Sequence, residues 1–322
     1  MHCMAIIKER MDFMEQFNIV LNQLILFFVL MIIGYIAVRL HVVGEEFLDG
    51  LSRLITRILL PLLVFSNAVS GTTRSQLFEC YPILLLTLAF YISIIVVCLA
   101  LGKILRLKGE RNKVFRAAFV FGNAGFIGIP LITAIFPENG PIYIALMSII
   151  DQTFMWTYGL KLTTPASKKR KFNFKNFINP ALCAVILSLI LLLLNINTLI
   201  PDVLVNALST MGKAATPLSL FYLGGLFHFC NWKSVLKAKE LYAGIFVKMI
   251  AFPLAFYAVA SMICPLQEMV RTISIIAALP TMTTIAMFTK SNQNQEDYAV
   301  GFVLMTTAAS LITLSIVSYF IL

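Results

Sequence analysis

The chain has 322 residues, of which 60% are hydrophobic and 12% charged, and a mean hydropathy of +0.90, a balance that excludes a water-soluble domain. The net charge of +10 would suggest nucleic acid in a soluble protein, but here the basic residues fall between apolar runs and act as topology signals, so no nucleic-acid partner is expected. Six cysteines (Cys3, Cys80, Cys98, Cys183, Cys230, Cys264) show no close pairing, which sets aside metal and disulfide chemistry.

Residues 1–17 mix Lys8, Glu9, Arg10, Asp12 and Glu15 and are read as a disordered N-terminal segment, with Met11 and Met14 as alternative starts. No small-residue cleavage site follows the first apolar run, so no removable signal peptide is expected. Ten apolar runs follow, at about 18–39, 54–71, 82–105, 117–136, 142–160, 177–198, 208–229, 241–263, 270–289 and 298–321. Each approaches the roughly 20 residues that a helix needs to cross a bilayer. The second, seventh and ninth are the weakest, carrying Arg57, Lys213 and Pro280.

The loop after the third run holds Lys103, Arg106, Lys108, Arg111, Lys113 and Arg116, and the loop after the fifth holds Lys161, Lys168, Lys169, Arg170, Lys171 and Lys175. Both face the cytoplasm by the positive-inside rule, which puts both termini outside. In this orientation Cys80 should react from outside, whereas Cys230 should be shielded. The basic loop 161–176 divides the chain into 18–160 and 177–322, each with five runs, and an odd count inverts the second half. Pro61, Leu62 and Phe65 recur at the same offsets as Pro217, Leu218 and Phe221, and Pro130 with Thr133 answers to Pro280 with Thr283. Paired prolines half a chain apart are what inverted-repeat transporters show. The fold class is therefore an all-α polytopic membrane protein, with ten transmembrane helices in two inverted five-helix repeats.

The segment FGNAGFIGIPL, Phe121 to Leu131, places Gly122, Gly125, Gly128 and Pro130 in one membrane crossing. Gly costs about 1 kcal/mol and Pro about 3 kcal/mol in a helix interior, and in lipid each freed backbone group must find a partner. A kinked, tightly packed helix would satisfy that pattern. Asn123 favours a site instead, because an amide at mid-membrane binds carboxylates and hydroxyls beside a half-helix terminus. The ninth run repeats the theme with Pro280, Thr281, Thr283 and Thr284, whose hydroxyls could equally cap proline-freed carbonyls.

Asp151 and Gln152 stand in the middle of the fifth run, and an intramembrane carboxylate belongs against the bundle interior or water. Lys248, about eight residues into the eighth run, either pairs with it or snorkels to the interface. Asn67, beside Ser66, lines the same cavity or ends a helix. Trp156 and Trp232 belong near the cytoplasmic interface.

These residues resemble the auxin efflux carrier family in its bacterial form, through ILLPLLVF (Ile58–Phe65), FGNAGFIGIPL, WTYG (Trp156–Gly159), ATPLSLFYLGG (Ala215–Gly225), KMIAFPL (Lys248–Leu254) and AALPT (Ala277–Thr281). The resemblance implies that helices four and nine are broken and cross near Pro130 and Pro280, with a substrate carboxylate bound there. It also implies a scaffold of helices one, two, six and seven, through which a homodimer forms and against which the rest moves as an elevator. Where the family often has an asparagine after the helix-nine proline, this chain has Thr284.

The expected function is a secondary transporter, not an enzyme, carrying a small organic anion across the bacterial plasma membrane by alternating access. Asn123, Gly125, Gln152, Thr283, Thr284 and Asn67 are the expected substrate contacts, Pro130 and Pro280 the crossover residues, and Asp151 and Lys248 the charge-tuning or coupling groups. No cofactor is expected, and H+ and Na+ are the alternative coupling ions. The rivals are a sodium-coupled symporter of the bile-acid type and a ligand sensor built on a transporter scaffold. A membrane-embedded enzyme would need clustered ionisable groups at mid-membrane, of which only Asp151 qualifies.

Overall fold

Lipid offers the backbone no hydrogen bonds, so a chain of this composition must satisfy them internally, and it does so with helices. A computed structural model describes residues 2–70, 73–167, 180–229 and 235–322, with side chains from residue 17 onward. The helices are α1 (His2–Arg39), α2 (45–69), α3 (Arg74–Glu79), α4 (Pro82–Ile104), α5 (Gly109–Val120), α6 (Ala124–Ile135), α7 (140–163), α8 (Pro180–Leu193), α9 (Asp202–Lys213), α10 (Ala215–Phe229), α11 (Lys239–Ile263), α12 (Gln267–Ala277), α13 (Thr283–Asn292) and α14 (Glu296–Ile321). Among the described residues there is no strand, only an isolated antiparallel bridge between Gly122 and Thr281.

Four stretches are long and apolar enough to cross a membrane unaided: Phe17–Arg39 of α1, α4, α11 and α14. The other apolar runs are shorter or interrupted. The fourth is split between α5 and α6, the seventh between α9 and α10, and the ninth between α12 and α13. Arg111, Lys113 and Arg116, expected in a loop, lie on α5, because GERNKVFRAAFV has no breaker after Gly109. The segment 1–17, expected to be disordered, is drawn into α1 from His2 onward, and it is rich in helix formers with no Gly or Pro. Much of the basic loop, together with Cys230 and Trp232, lies outside the described residues.

Prolines set the irregular turns. Wide π turns at Ile55–Leu59, Ala124–Gly128 and Val247–Ala251 each end two residues before a proline: Pro61, Pro130 and Pro253. A proline ring clashes with the carbonyl four residues back, and a local widening of the helix relieves that clash. A fourth π turn, Met155–Gly159, has no proline after it and ends in glycine.

The helices pack in two groups. In the first, α1 lies along α10, and the C-terminal half of α2 contacts α8 and α9. The α1–α10 contact is backbone against backbone, since a Cβ on Gly34 would stand 2.0 Å from Phe221 O and one on Gly224 1.8 Å from Met31 O. In the second, α4 packs on α5 and α7, α11 on α12, and α13 on α14, around buried rings such as Phe115, Phe119 and Phe302. At the end of this group that carries the basic loops, Glu240 accepts from Arg111 Nε at 2.7 Å and from Tyr298 OH at 2.9 Å. Nearby, Glu110 accepts from Lys113 (2.9 Å), the Ala166 N–H (3.1 Å) and Asn294 (3.1 Å). Burial alone would raise the Glu110 carboxyl, but these hydrogen bonds outweigh it and hold the group below the ordinary glutamate range.

Because neither glycine contact has room for a side chain, Gly34→Val or Gly224→Val should force α1 and α10 apart and cost about 1–3 kcal/mol, as overpacking does. The expected readout is a lower melting temperature of the detergent-purified protein; an unchanged one would contradict the close approach.

Candidate functional site

The break after α5 begins at Phe121, whose backbone is extended, and ends where Asn123 starts α6. Two halves of the chain meet here. Asn123 N donates to Pro280 O at 2.8 Å, and Met282 N donates to Phe121 O at 3.0 Å. Each interruption therefore supplies the partners that the other has lost. Gly122 makes the approach possible, since a Cβ there would lie 3.2 Å from Ile276 O and 3.3 Å from Leu279 Cβ.

Several of the remaining polar groups are met by side chains. Thr281 N donates to Thr306 Oγ1 at 3.0 Å, and Thr281 Oγ1 donates to Ala118 O at 2.8 Å. Lys248 Nζ donates to Leu279 O. Asn123 works in both directions: its Oδ1 accepts from Phe126 N at 3.3 Å, and its Nδ2 donates to Thr283 Oγ1 at 3.2 Å. Asn123 and Thr283 are both 0% exposed, so their polar atoms are spent on each other and on the α6 terminus.

Beside the breaks, a cavity of about 660 Å³ opens between the two helix groups. Its walls come from the first part of α2 up to Leu60, the C-terminal half of α7, the start of α8, and Met282 with α13. Gln152 and Thr284, each 8% exposed, face it, as do Leu60, Met282 and Trp156. Gly125 approaches it through Leu60, whose Cδ1 would be 3.3 Å from a Cβ at that glycine. Behind the wall, Asp151 accepts from Tyr91 OH and from Gln152 Nε2, the latter at 2.9 Å. Trp156 Nε1 donates to Gln152 Oε1 at 3.3 Å, so the Gln152 amide is gripped at both ends between the buried acid and the indole.

The structure thus brings Gln152 and Thr284 to the cavity, with Gly125 close by, and places Asn123 and Thr283 in the packed joint of the two breaks. Pro280 is buried in that joint and Pro130 lies in the first turn of the regular helix that follows it. Asn67 is half-buried near the far end of α2 and does not line the cavity.

Lys248 corrects both expectations for it. It is 2% exposed rather than snorkelling, and its ammonium bonds the Leu279 carbonyl rather than Asp151. The break leaves that carbonyl without a helical partner, and the lysine reaches it from α11.

Sequence reasoning passed over the arginines. Arg53 and Arg57 line the cavity, and the only signal was that Arg57 interrupts an apolar run, which counted against the span instead of for a site. It also missed Lys290, which reaches from α13 to Glu45 (3.1 Å) and Asp49 (3.0 Å) at the start of α2 and so ties the two groups together. Among the described residues no three His, Cys, Asp or Glu side chains stand close enough to hold a metal ion.

Interrupted helices that complete one another's hydrogen bonding beside a polar cavity define a membrane transport protein rather than a structural bundle. Comparison with known proteins agrees: residues 19–318 match the family described as membrane transport protein, and the chain belongs to this family, the auxin efflux carriers. It is also similar, at 26% identity over 204 residues, to an uncharacterized transporter of Methanocaldococcus jannaschii. That similarity spans 61% of this chain and 65% of the relative.

The two threonines of α13 should separate in experiment. Thr283→Val strips Asn123 Nδ2 of its acceptor in a dry joint, at a cost of about 1–3 kcal/mol, and should lower the melting temperature. Thr284→Val should leave the melting temperature near that of the parent, because its hydroxyl faces the cavity. Equal melting temperatures for both variants would refute the division.

Proposed function

We propose that the protein is a secondary transporter that carries a small organic anion across the plasma membrane by alternating access. The observation that carries this reading is the cavity between the two helix groups, where Gln152 and Thr284 face the space beside the paired breaks. Both walls belong to elements that lipid would not tolerate unless they lined a pathway.

In this reading the chain forms two inverted five-helix repeats, whose interrupted helices, α5–α6 and α12–α13, cross at Gly122 and Thr281. The group of α1, α2, α8, α9 and α10 is the scaffold and the dimer surface; the other group carries the site and moves against it. Gln152, Thr284 and Gly125 contact substrate, Asn123 and Thr283 hold the crossing closed, and Asp151 fixes Gln152 through its carboxylate. Lys248 stabilises the broken backbone at Leu279. The ion pairs of Lys290 with Glu45 and Asp49 hold the two groups in the observed arrangement, and their release accompanies the elevator movement.

Flux of labelled organic acids into liposomes containing the purified protein tests the function. Gln152→Ala should reduce uptake at least tenfold with insertion unchanged, and should lower the melting temperature as well, because it strips the buried Asp151 carboxylate of a donor. A full set of acids that bind without flux would favour a sensor, and uptake that collapses when sodium is replaced would favour a sodium symporter.

Orientation, with both termini outside, is tested at a different cysteine from the one the sequence suggests. Cys80 is 5% exposed, and burial together with Glu79 and Glu268 pushes its thiol up to about 11, so it holds almost no thiolate at neutral pH. Cys264, at the end of α11, is partly exposed. A membrane-impermeant maleimide should therefore label Cys264 in intact cells and leave Cys80 unmodified; labelling of Cys264 only after permeabilisation would reverse the topology.

A further inference from the structure

An arginine in a membrane-length helix is costly unless water or an anion receives its charge. Arg57 stands midway along α2, which runs from 45 to 69, and its side chain is exposed to the cavity. It is also the central residue of the π turn Ile55–Leu59, a widening of the kind that gathers at functional positions. Arg53, four residues earlier and so on the same face of α2, opens on the same space.

Among the described residues no counter-charge meets them. No Asp or Glu lines the cavity, and among the described residues neither arginine forms an ion pair. The acids of the same stripe, Glu45 and Asp49, are engaged by Lys290. The cavity therefore carries two guanidinium groups and an excess positive charge, next to soft apolar walls from Met155, Met282, Met287 and Phe288.

We propose that Arg57, assisted by Arg53, is the oxyanion-binding group of this cavity, and that it selects ligands bearing a carboxylate on a compact apolar body. This rests on the transporter reading of the same cavity but makes a separate claim, which residue recognises the charge. The guanidinium fork matches the two oxygens of a carboxylate, and a pair formed away from bulk water is strengthened by the low dielectric. The Thr284 hydroxyl, which has no hydrogen-bond partner among the described residues, is available to the polar part of the ligand from the opposite wall. The apolar body then rests on the methionines and Phe288, which adapt to differing shapes. The substrate charge is thus read from the scaffold side, by α2, while Gln152 of α7 and Thr284 of α13 read its remaining polar groups.

Trp156 lines the cavity and reports occupancy without flux. In a Trp232→Phe background it is the only indole, because the chain has two tryptophans. Its fluorescence is titrated with succinate and with phenylacetate, on protein in zwitterionic nanodiscs. At least one acid should give a saturable change, Arg57→Gln should weaken it tenfold or more, and Arg57→Lys, which keeps the charge but loses the fork, should fall between. Lys103→Gln, at the end of α4 and away from the cavity, should bind as the parent does.

Equal affinity in Arg57→Gln, or no saturable change with either acid, overturns the proposal. So does an Arg57-dependent signal seen only when phosphatidylglycerol is added, which would make the site a lipid phosphate site. Binding that depends on Arg57 without flux in liposomes sinks the transport reading alone, whereas flux with an unchanged KM in Arg57→Gln sinks this assignment alone.

Discussion

Everything in this molecule is arranged around the need to bond every backbone amide and carbonyl where no water reaches. Uninterrupted helices such as α4 and α14 meet that need by themselves. The breaks between α5 and α6 and between α12 and α13 do not, and each is completed by the other: Asn123 N on Pro280 O, and Met282 N on Phe121 O. The side chains around them, Thr281, Thr306, Asn123 and Lys248, fill what the backbone pairing leaves over. Partners supplied across an irregular place in lipid require protein around it, and that packing brings Gln152, Thr284 and the arginines of α2 to a common space.

The two groups of helices differ in how they hold together. The α1–α10 contact is made by glycines that bring main chain onto main chain, leaving no side chains to rearrange. The other group is held by interdigitated aromatic rings and by a ring of charged side chains at one end, including Glu110 and Glu240. Between the groups stand the cavity and the Lys290 ion pairs, which are partly exposed and weak individually, beside direct packing of α1 on α14 and α6 and of α7 on α8 and α2.

Much of this was legible in the residues, for identifiable reasons. Three glycines and Pro130 clustered in one apolar run point to a break, because together they weaken a helix that lipid cannot repair, whereas single prolines such as Pro61 and Pro253 only widen a continuous helix. What sequence spacing does not carry is direction. Asn123 was read as facing substrate, yet its amide turns to Thr283 and the α6 terminus. For Lys248 the sequence leaves Asp151 or the interface as partners, since nothing in its own segment shows that Leu279 O, 31 residues away, lies beside it. Arg57 counts against a span by hydropathy alone, because a one-dimensional scale cannot distinguish a residue facing lipid from one facing a cavity. Cys80, near a loop by sequence, is covered by the fold.

The shared hydrogen bonding of the two breaks has a consequence for how the protein is made. The N-terminal half emerges first, with the Phe121 carbonyl and the Asn123 amide already committed to the membrane and no partner yet synthesised. Those groups stay unsatisfied until Pro280 and Met282 follow, more than 150 residues later. The first half must therefore wait beside the insertion machinery, or in a partly hydrated state, rather than settle into lipid as a finished unit. The joint of the two breaks is therefore complete only once the second half has been inserted.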